Sequence, residues 1–168
     1  MTESHGSRET EPRALYSVAQ IQHLLRIEFQ RAQRYGYPLA CVVLSVDQLG
    51  SVRDRLGFEG KEDVLDALTR LLHANTRPSD FLGRTADDRI LLVVPHTDAE
   101  GAATLGDRLV EATRSRDFGA AGRITLSVGW AESLGARLAF HDQLLARAEA
   151  AHSEAVESGG DQCRAARS

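Results

Sequence analysis

The stretch that decides the fold reads Arg77-Pro-Ser-Asp-Phe-Leu-Gly-Arg-Thr-Ala-Asp-Asp-Arg-Ile-Leu-Leu-Val-Val-Pro95. Its residues 90–94 form an apolar run that is rich in β-branched side chains and is stopped by Pro95, which is typical of a buried strand. A second strand-like piece covers residues 80–84, and a short polar link over residues 85–89 joins the two. Two strands with a tight polar connection predict a β-hairpin.

The tip of this hairpin carries two adjacent carboxylates, Asp87 and Asp88. Paired carboxylates beside a buried strand are suited to holding a divalent metal or a metal-bound phosphate. Aspartates at a turn also commonly accept hydrogen bonds from their own backbone, without any ligand. The hairpin alone leaves both interpretations open.

Bulk composition is that of an ordinary globular domain. The chain has 168 residues, of which 42% are hydrophobic and 26% are charged, and its net charge is −4. This balance argues against non-specific binding to nucleic acid.

An apolar run of membrane-spanning length and the apolar core of a signal peptide are both missing, so we expect no membrane contact and a cytoplasmic location. The two cysteines, Cys41 in an apolar run and Cys163 near the end, predict no disulfide.

The pattern along the chain predicts a disordered head over residues 1–12, one domain over residues 13–160 and a polar tail over residues 161–168. Apolar residues recur at helical or strand spacing through the domain. The predicted elements are a helix over 18–36, a strand over 39–46, a short helix up to Arg55, a longer helix over 61–74, the hairpin over 80–95, a helix from about 99, a strand over 124–131 and a helix over 142–156.

This order predicts an α/β (α+β) fold with a ferredoxin-like βαββαβ core. An antiparallel-dominated sheet should carry helices packed on one face. One further helix precedes this core and one follows it.

The chain resembles the GGDEF family, the diguanylate cyclases, from about residue 15 to residue 160. The order and spacing of several short motifs carry this resemblance. They are the helix-to-strand segment 31–40, the strand end 43–49, the turn 53–57, the segment Arg84-Thr-Ala-Asp-Asp-Arg-Ile90 at the place of Arg-Tyr-Gly-Gly-Asp-Glu-Phe, and Thr125-Leu-Ser-Val-Gly129.

Departures from the family motif fall on its catalytic positions. In the family, two carboxylates hold two divalent metals against the GTP phosphates; Ser45 stands at the place of one, and Asp88 retains the other. The family's glutamate beside the reacting 3′-hydroxyl becomes Arg89, which can neither accept a proton nor bind a metal. The resemblance therefore implies a degenerate signature with no catalytic residue, no metal site and no cofactor. The residues of this degenerate signature are Ala86, Asp87, Asp88, Arg89 and Ile90.

The nucleotide contacts implied by the resemblance are incomplete as well. Arg53 replaces an asparagine that contacts guanine, while Glu62 retains a carboxylate at the place of the family's aspartate. Gly50 takes the place of a phosphate-binding lysine. We expect at most a residual nucleotide pocket formed by Asp47, Arg53 and Glu62, and no diguanylate cyclase activity.

A second family site, which binds the product and inhibits the enzyme, matches better. Arg77 and Asp80 fit its Arg-x-x-Asp motif, with Asp80 six residues before Ala86, and Arg108 stands at the place of a third contributor. Guanidinium groups and a carboxylate at these positions suit the guanine edges and phosphates of cyclic di-GMP. The alternative is structural: Asp80 caps the hairpin and Arg108 is a solvated helix residue.

Three functions follow from these matches. The chain is a catalytically inactive cyclic di-GMP receptor, or a nucleotide-independent module that binds a protein partner or a second copy of itself, or a GTP-binding remnant with residual cyclase activity. The retained Arg-x-x-Asp motif favours the first function, and the altered signature argues against the third.

Overall fold

The computed structural model describes residues 14–85, 87–135 and 137–168. The head predicted for residues 1–12 lies outside these ranges, and so does Ala86 of the degenerate signature. The described elements are α1 (Val18–Tyr35), β1 (Leu39–Val46), α2 (Leu49–Ala74), β2 (Phe81–Arg84), β3 (Ile90–Pro95), α3 (Ala99–Ser115), a 3-10 turn (Gly119–Ala121), β4 (Leu126–Glu132), α4 (His141–Glu157) and β5 (Gln162–Ala165). Within the described ranges, no helix combines the length and apolar character needed to cross a bilayer.

A single five-stranded sheet organises these elements, with the strand order β2-β3-β1-β4-β5. β1 lies at the centre and pairs antiparallel with β3 on one side and with β4 on the other. The hairpin predicted between residues 80 and 95 is the antiparallel pair β2–β3. The mixed α/β fold with an antiparallel-dominated sheet is therefore confirmed.

Helices cover both faces of this sheet, not one face as the sequence predicted. Along β1, Val42 and Leu44 belong to the core beneath α2 and α3, whereas Cys41 and Val43 belong to the core beneath α1 and α4. A strand buried on both faces reads as a continuous apolar run and loses the alternation that would reveal a one-sided sheet. The helices outside the βαββαβ core thus form the second layer.

The last strand corrects the predicted polar tail. Residues 162–165 form β5, which pairs parallel with β4 so that Cys163 lies opposite Val128. The strand is short and carries Gln162 and Arg164, so its composition resembles that of a tail. It contributes the only parallel pairing among the described strands.

A kink inside α2 sets the direction of its two halves. Gly57 has φ 75° and ψ −174°, a conformation that only glycine adopts without strain. The helix interrupted at this residue agrees with the two helices predicted on either side of it. Its second half carries the buried stripe formed by Val64, Leu68 and Leu72.

Candidate functional site

A large cavity, which we call the Arg77 cavity, opens between the end of α2, the β3–α3 connection and α3. It has a volume of about 570 Å³, and Arg77, Asp80 and Arg108 all line it. The structure therefore brings together three side chains that come from two separate segments of the sequence. His96 and Glu100 also line this cavity.

Asp80 and Arg77 form a compact turn at the floor of this cavity. The Asp80 side chain is only 2% exposed, and its Oδ2 accepts a hydrogen bond from the Arg77 backbone N–H at 2.8 Å. The guanidinium Nη2 of Arg77 donates to the Pro95 carbonyl at 2.8 Å and to Thr97 Oγ1 at 2.6 Å. Half of the Arg77 side chain, 52%, stays exposed to the cavity and the solvent.

Arg108 lies on α3 and also lines this cavity. Its Nη2 donates to the Asn75 carbonyl at 2.6 Å, which fixes one end of the guanidinium. Arg108 has no ion-pair partner among the described residues. Two acidic side chains, Asp98 and Glu100, also line the cavity, and Asp98 is engaged as the cap of α3 through Gly101 N at 2.8 Å. The cavity thus offers two guanidinium groups and one uncommitted carboxylate, that of Glu100.

A second cavity, the Ser45 cavity, lies at the end of β1 beneath the hairpin tip. Its volume is about 410 Å³. The charged and polar side chains on its wall are Ser45, Arg53, Lys61, Asp87, Asp88, Arg89 and His152. The Ser45 hydroxyl lies 2.7 Å from His152 Nε2.

Ion pairs occupy both carboxylates of the hairpin tip. Asp88 Oδ2 lies 2.6 Å from Lys61 Nζ, and Asp87 Oδ2 lies 3.1 Å from Arg89 Nη2. The turn-forming role of Asp88 is also visible in its backbone, which has φ 57°.

Comparison with known proteins assigns the chain to a family. The profile described as "Diguanylate cyclase, GGDEF domain" matches residues 14–162. The chain belongs to the GGDEF family. A probable diguanylate cyclase of Escherichia coli K12, DgcC, is 27% identical to it over 147 residues, which cover 86% of this chain and 39% of DgcC. The chain thus spans about two fifths of the length of this curated relative.

Two solved structures extend the comparison. The diguanylate cyclase SiaD of Pseudomonas aeruginosa, in complex with its activator SiaC, is 30% identical, with a TM-score of 0.81 over 90% of this chain and 59% of SiaD. The GGDEF domain of DgcB from Caulobacter crescentus, in complex with c-di-GMP, has a TM-score of 0.83 and 21% identity over 98% of this chain and 100% of the other. The second likeness concerns the fold alone.

The Ser45 cavity does not fit the two metal ions that GGDEF catalysis implies. The Ser45 hydroxyl, a weak ligand for a hard cation, is bonded to His152, and the one retained carboxylate, Asp88, is bonded to Lys61. Arg89 brings a fixed positive charge to the same wall. The side chains of this wall therefore do not provide the ligands that a metal-assisted reaction would need.

The residual nucleotide pocket expected from Asp47, Arg53 and Glu62 is not assembled. Of the three, only Arg53 lines the Ser45 cavity. Glu62 lies 3.7 Å from Arg84 and lines a different hollow. These three residues were grouped because they match nucleotide-binding positions of the family motif, and a motif match does not show what each side chain contacts.

Asp47 has a structural role that the sequence analysis missed. Its carboxylate accepts hydrogen bonds from Thr125 Oγ1 at 2.7 Å, from Ser127 Oγ at 2.6 Å and from the Asp161 backbone N–H at 2.8 Å. The first two partners flank the start of β4, and the third precedes β5. Asp47 therefore joins the end of β1 to the following two strands of the sheet.

Replacing Asp47 with alanine should lower the free energy of unfolding by roughly 2–4 kcal/mol, because the fully buried Ser127 hydroxyl loses its acceptor. Urea denaturation followed by circular dichroism measures this change. Asp63→Ala, which removes an exposed carboxylate from α2, is the control and should shift stability by less than about 0.5 kcal/mol. Equal effects of the two substitutions would refute the bridging role.

His152 is a buried residue of α4. It is 5% exposed and continues the apolar stripe formed by Ala148, Ala151 and Ala155. Burial lowers the pKa of His152, the positive charge of Arg89 lowers it further, and Asp47 opposes the shift. The ring is therefore neutral near pH 7. Its spacing of four residues from Ala148 was the signal that placed it inward.

Proposed function

We propose that this GGDEF domain is a catalytically inactive signalling domain that binds cyclic di-GMP through Arg77, Asp80 and Arg108. The observation that carries the proposal is their meeting in one cavity of about 570 Å³. A cavity of this volume is within the range that small-molecule ligands occupy.

The charges in the Arg77 cavity suit this ligand. Cyclic di-GMP carries two phosphodiester charges, and Arg77 and Arg108 supply two guanidinium groups to the cavity lining. A guanidinium can donate two parallel hydrogen bonds to the O6 and N7 edge of guanine or to a phosphate. The Asp80 carboxylate, already held by the Arg77 backbone, can accept from a guanine N–H pair. The structure of the related DgcB domain with c-di-GMP supports this ligand class.

Binding has a local cost that the structure identifies. The Arg77 guanidinium must share or give up its bonds to Pro95 and Thr97, and the Glu100 carboxylate repels the phosphates. Because bonds from the guanidinium to an anionic phosphate replace bonds to the neutral acceptors of Pro95 and Thr97, we expect a net gain. These costs fall on the end of β3, on Thr97 and on the first turn of α3, which is where we expect ligand binding to alter the surface available to a partner.

The proposed inactivity rests on the Ser45 cavity. The chain's curated relatives are named as cyclases, but a general base and a metal carboxylate are both replaced here, by Arg89 and Ser45. Asp88 and Asp87 on that wall form ion pairs with Lys61 and Arg89, and Ser45 contacts His152.

Isothermal titration calorimetry with cyclic di-GMP tests the binding proposal. We expect wild-type protein to bind with a dissociation constant in the micromolar range or tighter, and Arg77→Ala to weaken binding roughly 10- to 100-fold. Arg26→Ala, an exposed arginine of α1 outside the cavity, is the matched control and should bind like wild type. Absence of heat at high ligand concentration, or equal weakening by Arg26→Ala, would reject the proposal.

A nucleotide-independent interaction module is the second candidate, and one observation favours it. The Arg77 guanidinium is already satisfied by the chain's own Pro95, Thr97 and Asp80. The related SiaD structure contains an activator protein, SiaC, which shows that a cyclase of this family binds a protein partner. Melting temperatures unaffected by cyclic di-GMP, together with a stable homodimer or a defined complex with a protein partner, would favour this function.

A further inference from the structure

His96 lines the Arg77 cavity, and the three proposed ligand contacts do not include it. It lies in the connection between β3 and α3, directly between the two residues that hold the Arg77 guanidinium. Arg77 Nη2 donates to the carbonyl of Pro95 at 2.8 Å and to Thr97 Oγ1 at 2.6 Å. Because the guanidinium is bound to the residues on either side of His96, it lies close to the His96 backbone.

The imidazole ring of His96 is stacked on the phenol ring of Tyr37. The two ring centroids are 3.9 Å apart, and the ring planes are inclined by 27°. No hydrogen bond or ion pair of the His96 side chain is found within residues 14–85, 87–135 and 137–168, so this stack is what orients the ring. Tyr37 covers one face of the imidazole, and His96 is an exposed residue. The second face is therefore available to a ligand.

Tyr37 is held in place by a buried carboxylate. Its hydroxyl donates to Glu28 Oε2 at 3.3 Å, and Glu28 is 6% exposed. Burial raises the pKa of Tyr37 and the negative charge of Glu28 raises it further, so the hydroxyl stays protonated and remains a donor. The next residue, Pro38, accepts from the Thr97 backbone N–H at 3.2 Å, which joins this segment to the β3–α3 connection. The ring that supports His96 is thus fixed both at its hydroxyl and through its backbone.

The backbone of His96 is constrained as well. Its φ is 53°, in the left-handed region that few residues other than glycine adopt and in which asparagine, aspartate and histidine are enriched. This conformation carries a strain cost, and residues that bear such a cost cluster at ligand-binding sites. It also identifies asparagine as the substitution that removes the ring and tolerates the same backbone conformation.

From these observations we propose that His96 is a specificity-determining residue of the Arg77 cavity, whose ring stacks on a guanine base of the bound ligand. This inference rests on the proposed binding of cyclic di-GMP. A guanine on the free face of His96 brings its O6 and N7 edge towards the Arg77 guanidinium, so stacking and paired hydrogen bonds act on the same base. The arginines recognise charge and the base edge, whereas His96 recognises the flat aromatic surface of the base.

Calorimetric titration of the full chain with cyclic di-GMP, with His96→Asn beside the wild type, tests this contact. We expect His96→Asn to weaken binding roughly 5- to 50-fold, because the base loses its stacking partner. His23→Asn, which replaces an exposed histidine of α1 that does not line the cavity, is the matched control and should bind like wild type. An amide NMR spectrum as dispersed as that of the wild type establishes that each variant folds.

NMR spectra of the histidine ring protons separate stacking from a structural role of His96. When the wild-type protein is saturated with cyclic di-GMP, the Cδ2–H and Cε1–H signals of His96 should move upfield, because the ring current of a base shields protons that lie above its plane. The ring signals of His23 should stay in place. Should His96→Asn fail to fold, these shifts in the wild-type protein decide the question alone.

Cyclic di-GMP binding that Arg77→Ala weakens and His96→Asn leaves intact would overturn this inference and keep the proposed function. Weakening by His96→Asn without an upfield shift of the His96 signals would also overturn it, because the residue would then act on the shape of the cavity and not on the base. Equal weakening by His23→Asn has the same consequence. No binding by the wild-type protein would overturn the proposed function and this inference together.

Discussion

Incubated with GTP and Mg²⁺ or Mn²⁺, the protein is expected to form cyclic di-GMP at least ~10⁴-fold more slowly than an active GGDEF domain. The reaction needs an acceptor for the proton of the attacking 3′-hydroxyl and cations that neutralise the phosphates. Arg89, a cation that cannot serve as a general base, stands at the place of the family's glutamate. Ser45 offers a hydroxyl that is committed to His152, 2.7 Å away, and Asp88 is held by Lys61.

Separation of the nucleotide products by anion-exchange chromatography measures this activity. An active GGDEF domain assayed in parallel sets the scale, and a sample with EDTA sets the background. The double substitution Ser45→Asp with Arg89→Glu should restore little turnover, because Asp87 and Gly50 still differ from the family at the phosphates. Turnover by the wild-type chain that EDTA abolishes would contradict the proposed inactivity.

Substituting Gly129 with alanine should lower the free energy of unfolding by about 3 kcal/mol or more, at the upper end of overpacking costs. A Cβ at this position would overlap the backbone nitrogen of His152 and lie 2.6 Å from the carbonyl carbon of Ala151. Both atoms belong to the backbone of α4, so no side-chain rotation relieves the overlap. The helix itself must move away from β4, and the Ser45–His152 contact moves with it.

Thermal unfolding should report a melting temperature lower by roughly 6–12 °C for Gly129→Ala. Gly135→Ala is the matched control, because the nearest atom to its added Cβ is Glu132 Oε2 at an ordinary 3.6 Å. The control should stay within about 0.5 kcal/mol of wild type. A Gly129→Ala protein as stable as the control would mean that α4 does not pack as closely on β4 as described.

Local patterns allowed much of the fold to be predicted. The bounds of β1 follow from its apolar run, and α1 begins after Ser17, whose side chain accepts from Gln20 N at 3.2 Å, and ends at Gly36 with φ 73°. Asp98 likewise marks the start of α3. Each of these signals acts within four residues, so the sequence displays it directly.

The features that were missed depend on contacts between distant segments. β5 is a strand because β4 offers it an open edge, and its own residues show little strand propensity. Asp47 was assigned to a nucleotide pocket because of its place in a motif, whereas its partners lie 78 to 114 residues away. His152 is inward because Gly129 lets α4 approach the sheet. For His152 the spacing of four residues from Ala148 was a local signal, whereas no local pattern marks the pairing of β5 or the partners of Asp47.

Some features of the Arg77 cavity could be predicted from the sequence and others could not. The motif predicted that Arg77 and Asp80 bind a ligand together; in the structure the Arg77 backbone N–H donates to Asp80 Oδ2 at 2.8 Å. The sequence did not indicate that Thr97 and Pro95 hold the Arg77 guanidinium. These two bonds hold the Arg77 guanidinium in place, so they determine how far this side chain must move to bind a ligand.

We propose that ligand recognition resides in the Arg77 cavity and that the Ser45 cavity does not hold the two metal ions of a cyclase. A crystal structure of the protein grown with cyclic di-GMP, a non-hydrolysable GTP analogue and Mg²⁺ tests both halves at once. We expect the dinucleotide to contact Arg77 and Arg108, and we expect no pair of metal ions between Ser45 and Asp88. A two-metal cluster holding the GTP analogue at Asp88, with no dinucleotide at Arg77, would contradict it.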